Sequence, residues 1–167
     1  MTIRVHSTGD LRALQKKLGI QNQPRGKSFN RESKHQVAVF AWRNTQVKRF
    51  PSLARMHAIP NGGARDAINA KILKMEGVLA GVADMSFPFA ARGFHGLYIE
   101  LKDIGREREK NGGATDNQMM FLAGVARDGF CSVRTYGSNQ TIDVIEWYLG
   151  VQTEPPNGAY FYTGSEA

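Results

Sequence analysis

The chain has 167 residues, of which 41% are hydrophobic and 22% charged, enough for one domain with its own core and unlike a disordered chain. Cys131 is the only cysteine, which excludes an internal disulfide and a cysteine-rich zinc site and suits a reducing compartment. No apolar run resembles a signal peptide or reaches membrane-spanning length. We therefore expect a soluble cytoplasmic protein with no membrane partner.

The positive charge is concentrated in one region of the chain. Residues 1–60 contain 12 Lys and Arg against two acids, a net charge of +10, whereas residues 61–167 contain 10 against 13, a net charge of −3. A basic arm of this kind suits a polyanion, because each neutralised phosphate releases condensed counterions. The alternative is a solvated basic surface that only aids solubility, and charge alone does not decide between the two.

Three leucines at helical spacing predict a short N-terminal helix: Leu11, Leu14 and Leu18. Gly19 is a suitable stop, and residues 21–30, with Pro24 among basic and amide side chains, indicate a linker. Residues 1–30 are thus expected to form a basic extension of the core.

The core is expected to begin with a helix over residues 31–46, whose predicted packing face is formed by Val37, Phe40, Ala41 and Asn44. A strand over residues 53–59 follows and ends at a turn at residues 60–63. Residues 64–76 favour a second helix stopped by Gly77.

The second half of the core predicts more strands and helices. In residues 82–90 and 96–102 apolar and polar side chains alternate. Together with the three-residue connection Ala91-Arg92-Gly93, these two segments indicate a hairpin. A charged, mobile loop is expected over residues 103–114. After it we predict a helix to about Asp128, a strand over 130–136 and a helix over 141–149. The tail after residue 150 has aromatic residues that could dock on the body or on another subunit.

The hairpin register follows from its pattern. If the hairpin is symmetric about Arg92, Asp84 opposes Glu100. One face then carries only apolar residues, Met85, Phe87, Phe89, Leu97, Ile99 and Leu101, and the other carries Asp84, Ser86, Tyr98, Glu100 and Lys102.

The paired acids on the polar face suggest a metal site. Carboxylates opposed across two strands have Cβ atoms roughly 5 Å apart and are destabilising unless something compensates. Mg²⁺ would compensate, with Asp84 and Glu100 supplying oxygen ligands. Lys102 lies on the same face and can orient the attacking water. The alternative is an ordinary surface ion pair on a half-exposed hairpin, since D-x(n)-E-x-K is a common pattern.

Longer motifs make the pattern specific. The sequence has H-A-I-P-N-G-G at residues 57–63, G-V-L-A-G-V-A-D at 77–84 and G-L-Y-I-E-L-K at 96–102, with Glu32 upstream and Gln118 downstream. In these motifs it resembles the VRR-NUC nucleases, a branch of the PD-(D/E)XK superfamily found in phage and bacterial stand-alone proteins. The resemblance covers about residues 31–149.

The resemblance implies a restriction-endonuclease-like α/β fold, with a central mixed β-sheet flanked by helices and, in this chain, an N-terminal helical extension. It divides the chain into an extension (1–30), a nuclease domain (31–150) and a tail (151–167). It also implies that Mg²⁺ or Mn²⁺ binds to Asp84, Glu100 and the main-chain carbonyl of Leu101.

The resemblance assigns catalytic roles to five residues: Asp84, Glu100, Lys102, Gln118 and Glu32. Lys102 would serve the attacking water, and Glu32 and Gln118 would complete the site. The competing roles are a helix N-terminal acid for Glu32 and a T-x-x-Q capping box with Thr115 for Gln118.

Two departures from the family pattern stand out. Ala83 replaces the proline that names the superfamily, and the loop over residues 103–115 is longer than usual. Arg106, Arg108 and Lys110 in that loop would contact DNA or only solvate the loop. Asn61, Gly62 and Gly63 would likewise approach a phosphate through backbone N–H groups or simply form a turn.

The function expected from this resemblance is a Mg²⁺- or Mn²⁺-dependent DNA endonuclease in recombination, repair or phage DNA processing. By analogy it would be a homodimer acting on branched DNA such as Holliday junctions, in the host cytoplasm if phage-encoded. The alternatives are a non-catalytic DNA-binding accessory protein and a sequence-specific restriction endonuclease.

Overall fold

The computed structural model describes residues 31–60, 73 and 75–166. In this part of the chain there are three helices, α1 (Arg31–Gln46), α2 (Asp116–Arg127) and α3 (Gly137–Tyr148). The strands are β1 (His57–Ala58), β2 (Met85–Phe87), β3 (Leu97–Lys102), β4 (Cys131–Tyr136) and β5 (Tyr160–Phe161). Two 3₁₀ turns occupy Pro51–Arg55 and Arg106–Arg108, and a tight turn with left-handed residues occupies Lys110–Gly113.

Three predicted features lie outside the described residues: the N-terminal helix, the linker at 21–30 and the turn at 61–63. Of the predicted helix over 64–76 only the end is described. Leu73 and Met75 are helical there, and Gly77 follows with a left-handed φ of 89°, in agreement with its predicted role as a stop.

The five strands form one mixed sheet in the order β1-β2-β3-β4-β5. The β3–β4 pair is parallel and the other three pairs are antiparallel. Parallel neighbours need a crossover connection, which the segment containing α2 provides between β3 and β4. The predicted mixed α/β sheet with flanking helices is confirmed.

The alternation of side chains in β2, β3 and β4 separates two faces of the sheet. The odd-numbered residues, such as Ile99 and Val133, are buried in the main core with residues of α1 and α3. On the even-numbered side, Tyr98 packs in a smaller cluster with Leu122 and Ala123 of α2. The polar face of β3 is therefore covered by a helix instead of facing solvent.

The predicted hairpin register is confirmed. Met85 pairs with Ile99 and Phe87 with Leu97, which places Asp84 opposite Glu100. The turn is tighter than predicted: Arg92 and Gly93, both with positive φ, form a two-residue loop closed by the Ala91–Phe94 bridge. The additional residue on the β2 side is absorbed near Phe87, whose carbonyl accepts a hydrogen bond from the Phe89 N–H.

The prediction of a strand over residues 53–59 was largely wrong. Pro51 begins a 3₁₀ turn that buries Leu53, and only His57 and Ala58 are extended and paired. Proline favours the first turn of a helix. The Leu53 carbonyl at the end of this turn accepts a hydrogen bond from Arg43 Nε at 2.7 Å, a tertiary contact that the local sequence does not reveal.

The helix over residues 31–46 is confirmed, but its predicted packing face was only partly right: Phe40 packs against the main core, and two other members of the face do not. Val37 is 48% exposed and Asn44 is exposed, whereas Val39 is fully buried. Val39 and the partly buried Trp42, one helical turn apart, face the core, because α1 packs on both the sheet and α3.

The last helix begins four residues earlier than predicted. Its N-cap residue, Tyr136, makes no side-chain capping bond, and two other side chains bond to the first N–H groups. Gln140 accepts a hydrogen bond from the Tyr136 N–H at 2.8 Å, and His35 Nδ1 on α1 accepts from the Ser138 N–H at 3.3 Å. The tail docks on the body, because β5 pairs with β4 and Tyr162 is buried.

Within the described residues, no helix combines the length and the apolar character needed to cross a lipid bilayer.

Candidate active site

Two charged side chains of β3 are buried beneath α2. Glu100 is 0% exposed and Lys102 is 5% exposed, both on the even-numbered face of the strand. Their Oε1 and Nζ atoms form an ion pair at 2.7 Å. A buried carboxylate loses its hydration, so this pair must be maintained by further polar contacts.

Gln118 supplies those contacts from the first turn of α2. Its Nε2 donates to Glu100 Oε1, and its Oε1 accepts from Lys102 Nζ at 3.2 Å. The same Oε1 accepts from the Thr115 N–H at 2.9 Å, which closes the predicted capping box. Gln118 therefore caps α2 as the capping box predicted and at the same time contacts the charged pair, while its catalytic role stays a prediction.

Asp84, the residue directly before β2, lies close to the Glu100–Lys102 pair. Its Oδ2 accepts a hydrogen bond from the Leu101 N–H at 2.9 Å, and its main-chain carbonyl accepts from Ile59 at 2.8 Å. Asp84 is half-buried, so the pair of acids has a side that reaches solvent. Asp84, Glu100, Lys102 and Gln118, predicted from separate motifs, thus lie in one cluster.

The acidic pair has an electrostatic cost. The pKa of Glu100 is raised from 4.5 to about 7, because burial and, to a smaller extent, the Asp84 charge outweigh the opposing effect of Lys102. In addition, Glu100 Oε2 is buried without a hydrogen-bond partner among the described residues. An unsatisfied buried carboxylate oxygen in a native site calls for an ion, a water molecule or a proton.

We expect this cost to appear in the pH dependence of stability without metal. The raised pKa means that the folded protein holds a proton between pH 4.5 and about 7 that the unfolded chain releases, so Glu100 destabilises the fold as pH rises. The free energy of unfolding of the wild type, relative to Glu100→Gln, should fall by on the order of 2 kcal/mol from pH 5 to pH 8. Urea denaturation in the presence of a metal chelator measures this free energy at each pH.

Glu107→Gln, at an exposed acid, serves as the control for the general effect of removing one carboxylate. A constant difference for Glu100→Gln would contradict a raised pKa.

Glu32 lies on α1, near this cluster but bonded elsewhere. Its Oε1 pairs with Arg106 Nη1 at 2.9 Å, and Arg106 also contacts Glu109 Oε2 at 2.8 Å. The Glu32 charge nevertheless contributes to raising the pKa of Glu100, so the two carboxylates are neighbours. Arg106 joins α1 to the loop through these pairs, and its predicted contact with DNA stays a prediction.

The other predicted DNA contacts fall into two groups. Arg108 and Lys110 are exposed on the loop after β3. That loop contains the 3₁₀ turn at Arg106–Arg108 and the left-handed turn at Lys110–Gly113, which the prediction of a mobile loop did not include. Asn61, Gly62 and Gly63 lie outside the described residues.

Sequence reasoning missed Arg134. It lies on β4 beside Glu100 in the parallel register and is only 7% exposed. The available signal was a basic residue at an alternating position between Cys131 and Tyr136 in a buried strand. Its proximity to Glu100 depends on the β3–β4 pairing, which a local pattern does not specify.

The residues suited to a divalent cation are Asp84 and Glu100. No group of three or more His, Cys, Asp or Glu side chains arranged to hold a metal is found in residues 31–60, 73 and 75–166. Two carboxylates can still hold a hard cation such as Mg²⁺, which retains several waters and takes main-chain oxygens. The buried, unpartnered Glu100 Oε2 beside a second acid fits such an ion.

The fold and the buried D…E-x-K cluster define a restriction-endonuclease-like α/β domain. The chain is similar to a solved structure described as a VRR_NUC domain protein, with 28% sequence identity over 74% of this chain and 92% of that one and a TM-score of 0.59. The predicted resemblance to the VRR-NUC nucleases is thereby confirmed. No protein-family model matches the sequence, and no curated protein does so.

Proposed function

We propose that this chain is a metal-dependent DNA endonuclease that hydrolyses phosphodiester bonds in the cytoplasm. The observation that carries the proposal is the cluster of Asp84, Glu100, Lys102 and Gln118, in which a buried acid retains an unpartnered oxygen beside a second acid. Such an arrangement is costly for stability alone, and functional sites are where such costs are found.

Asp84 and Glu100 would hold Mg²⁺ or Mn²⁺ together with the Leu101 carbonyl. In an extended strand, the N–H and C=O of one residue point towards the same neighbouring strand. Because the Leu101 N–H contacts Asp84 Oδ2, the Leu101 carbonyl is expected on the Asp84 side as well. The bound ion would supply an activated nucleophile and charge stabilisation at the phosphate.

The remaining residues would orient the attacking water and stabilise the charges of the site. Lys102 would orient the attacking water and stabilise negative charge that develops on the phosphate, since its ammonium lies in a dry environment where charge interactions are strong. Gln118 holds both Lys102 and Glu100 in position through one amide. Glu32 would complete the acidic site once its pairing with Arg106 is exchanged for other contacts.

DNA is the proposed substrate because of the basic residues near the site and the similarity to the VRR_NUC domain protein. The exposed Arg108 and Lys110 are proposed to meet DNA phosphates beside the site, as are Arg106 and residues Asn61, Gly62 and Gly63. We further propose that the substrate is branched DNA, such as a Holliday junction, cut by a homodimer during recombination, repair or phage DNA processing. A two-fold axis would present two sites to a symmetric junction.

A cleavage panel tests this function. Purified protein is incubated with end-labelled four-way junction, flap and linear duplex DNA, each with Mg²⁺, with Mn²⁺ and with EDTA. We expect metal-dependent cleavage that favours the junction. Salt-sensitive binding without cleavage of any substrate would reject the enzyme in favour of an accessory protein, and discrete fragments from linear DNA alone would indicate a restriction enzyme.

A further inference from the structure

Arg134 has an unusual environment for a buried cation. Its side chain is 7% exposed, and it makes no ion pair with a carboxylate among the residues that the structure describes. Its hydrogen bonds go to neutral groups: Nε donates to Tyr136 Oη at 2.8 Å, and Nη1 donates to the Asn111 carbonyl at 2.7 Å and to Tyr162 Oη at 3.0 Å. The guanidinium also lies 4.8 Å from the Tyr160 ring centroid.

The main-chain partner of Arg134 lies in a turn with an uncommon backbone. Asn111, Gly112 and Gly113 all have left-handed φ values, of 54°, 57° and 76°. Three consecutive residues with left-handed backbone conformation need contacts that stabilise this conformation. The need is greatest for Asn111, which is not a glycine. Arg134 provides one through the Asn111 carbonyl, and Tyr136 Oη provides another by donating to the Gly112 carbonyl at 3.2 Å.

The turn is packed directly against these two side chains. A Cβ atom at Gly112 would lie 2.2 Å from Tyr136 Oη and 2.6 Å from Arg134 Nη2. Only glycine allows this approach, so the backbone of the turn and the guanidinium fit together closely.

The same turn leads straight into the active site. The Asn111 carbonyl also accepts from the Ala114 N–H at 3.1 Å, and Thr115, the N-cap of α2, follows. The Thr115 backbone and side chain both bond to Gln118, which contacts Glu100 and Lys102. A displacement of the turn would therefore move the amide that holds the charged pair.

We propose that Arg134 is a positioning residue: through the turn at residues 111–113 it sets the start of α2, and thereby holds Gln118 against Glu100 and Lys102. The inference rests on the proposed function for its effect on catalysis, but not for its effect on Gln118. Lysine cannot replace arginine here, because one ammonium cannot direct donors along a planar fork to Tyr136, Asn111 and Tyr162 together.

The test follows Gln118 directly. In protein labelled with ¹⁵N-glutamine, the hydrogen exchange of the Gln118 side-chain amide is compared in the wild type, Arg134→Lys and Arg127→Lys, with Gln118→Glu assigning the signal. Arg127 is the matched control, because it also donates to a main-chain carbonyl, that of Gly164 at 3.1 Å, at the other end of α2. We expect exchange to accelerate roughly fivefold to tenfold in Arg134→Lys only, the factor given by one lost hydrogen bond.

Catalysis provides the second measurement. With DNA already bound, the cleavage rate constant of Arg134→Lys should fall by roughly tenfold to a hundredfold with the Kd for DNA unchanged, since misplacement of supporting groups affects the chemical step. If the wild type does not cleave DNA, the proposed function fails, whereas the exchange measurement still tests the position of Gln118.

Tyr136→Phe keeps the inference testable if Arg134→Lys does not fold. It removes a single oxygen, which accepts from Arg134 and donates to Gly112, and should accelerate Gln118 exchange in the same direction. Unchanged Gln118 exchange in the variants that fold would overturn the inference and leave Arg134 with a packing role only.

Discussion

Replacing Asp84 by asparagine is expected to abolish metal-dependent cleavage while leaving the fold intact. Asparagine retains an oxygen that can accept the Leu101 N–H, but it removes half of the acidic pair. A loss of several kcal/mol of charge stabilisation corresponds to a rate at least about 10³-fold lower. Single-turnover cleavage of the four-way junction measures this, with Mn²⁺ binding followed by calorimetry.

Loss of activity in this variant is not expected to come from unfolding. The Asp84 charge raises the pKa of Glu100, so its removal relieves repulsion and should leave the metal-free protein at least as stable as the wild type. Asp128→Asn is the matched control, an exposed aspartate at the far end of α2, and should cleave normally. Cleavage at the wild-type rate by Asp84→Asn would remove Asp84 from the mechanism.

Replacing Lys102 by methionine should produce the second large effect, a loss of stability that added metal partly reverses. Without Lys102, Glu100 is a buried carboxylate whose remaining hydrogen-bond partner among the described residues is the Gln118 amide, and breaking a buried pair in this way costs roughly 3 kcal/mol or more. We expect the metal-free variant to have a clearly lower free energy of unfolding than the wild type.

A bound cation would replace the missing positive charge. Added Mn²⁺ should therefore stabilise Lys102→Met by more than it stabilises the wild type, as measured by thermal unfolding at matched metal concentrations. Cleavage should nonetheless fall by on the order of 10²-fold to 10⁴-fold, because a charged group that orients water is absent. Lys48→Met, on an exposed surface, is the control.

The outcome that contradicts this interpretation is specific. If Mn²⁺ stabilises Lys102→Met and the wild type equally, the cation does not share the environment of the Glu100–Lys102 pair. The proposed site would then have to lie elsewhere, even if the variant cleaves DNA poorly.

The sequence predicted the hairpin and the residues of its polar face, because both depend on neighbouring residues. Alternation over two short segments was enough to place Asp84 opposite Glu100, since slipping one strand by one residue would expose its apolar side chains. The capping box at Thr115 was likewise a local pattern and is present as predicted. The family resemblance, which added Glu32 and Gln118, depended on longer motifs.

Other local predictions failed where distant residues decide the conformation. The strand predicted over 53–59 is mostly a 3₁₀ turn whose carbonyls accept hydrogen bonds from Arg43 of α1. The start of α3 is likewise stabilised by His35 of α1, which accepts from the Ser138 N–H. Helix ends need partners for their backbone groups, and those partners can come from any part of the fold.

The sequence by itself determined which residues share the polar face of the hairpin, because side-chain direction alternates along a strand whatever surrounds it. Only the tertiary structure decided the environment of that face. The placement of α2 over it buries Glu100 and raises its pKa, and the parallel pairing of β4 brings Arg134 beside Glu100. Desolvation depends on every element packed around a group, so it follows from the assembled fold and not from spacing along the chain.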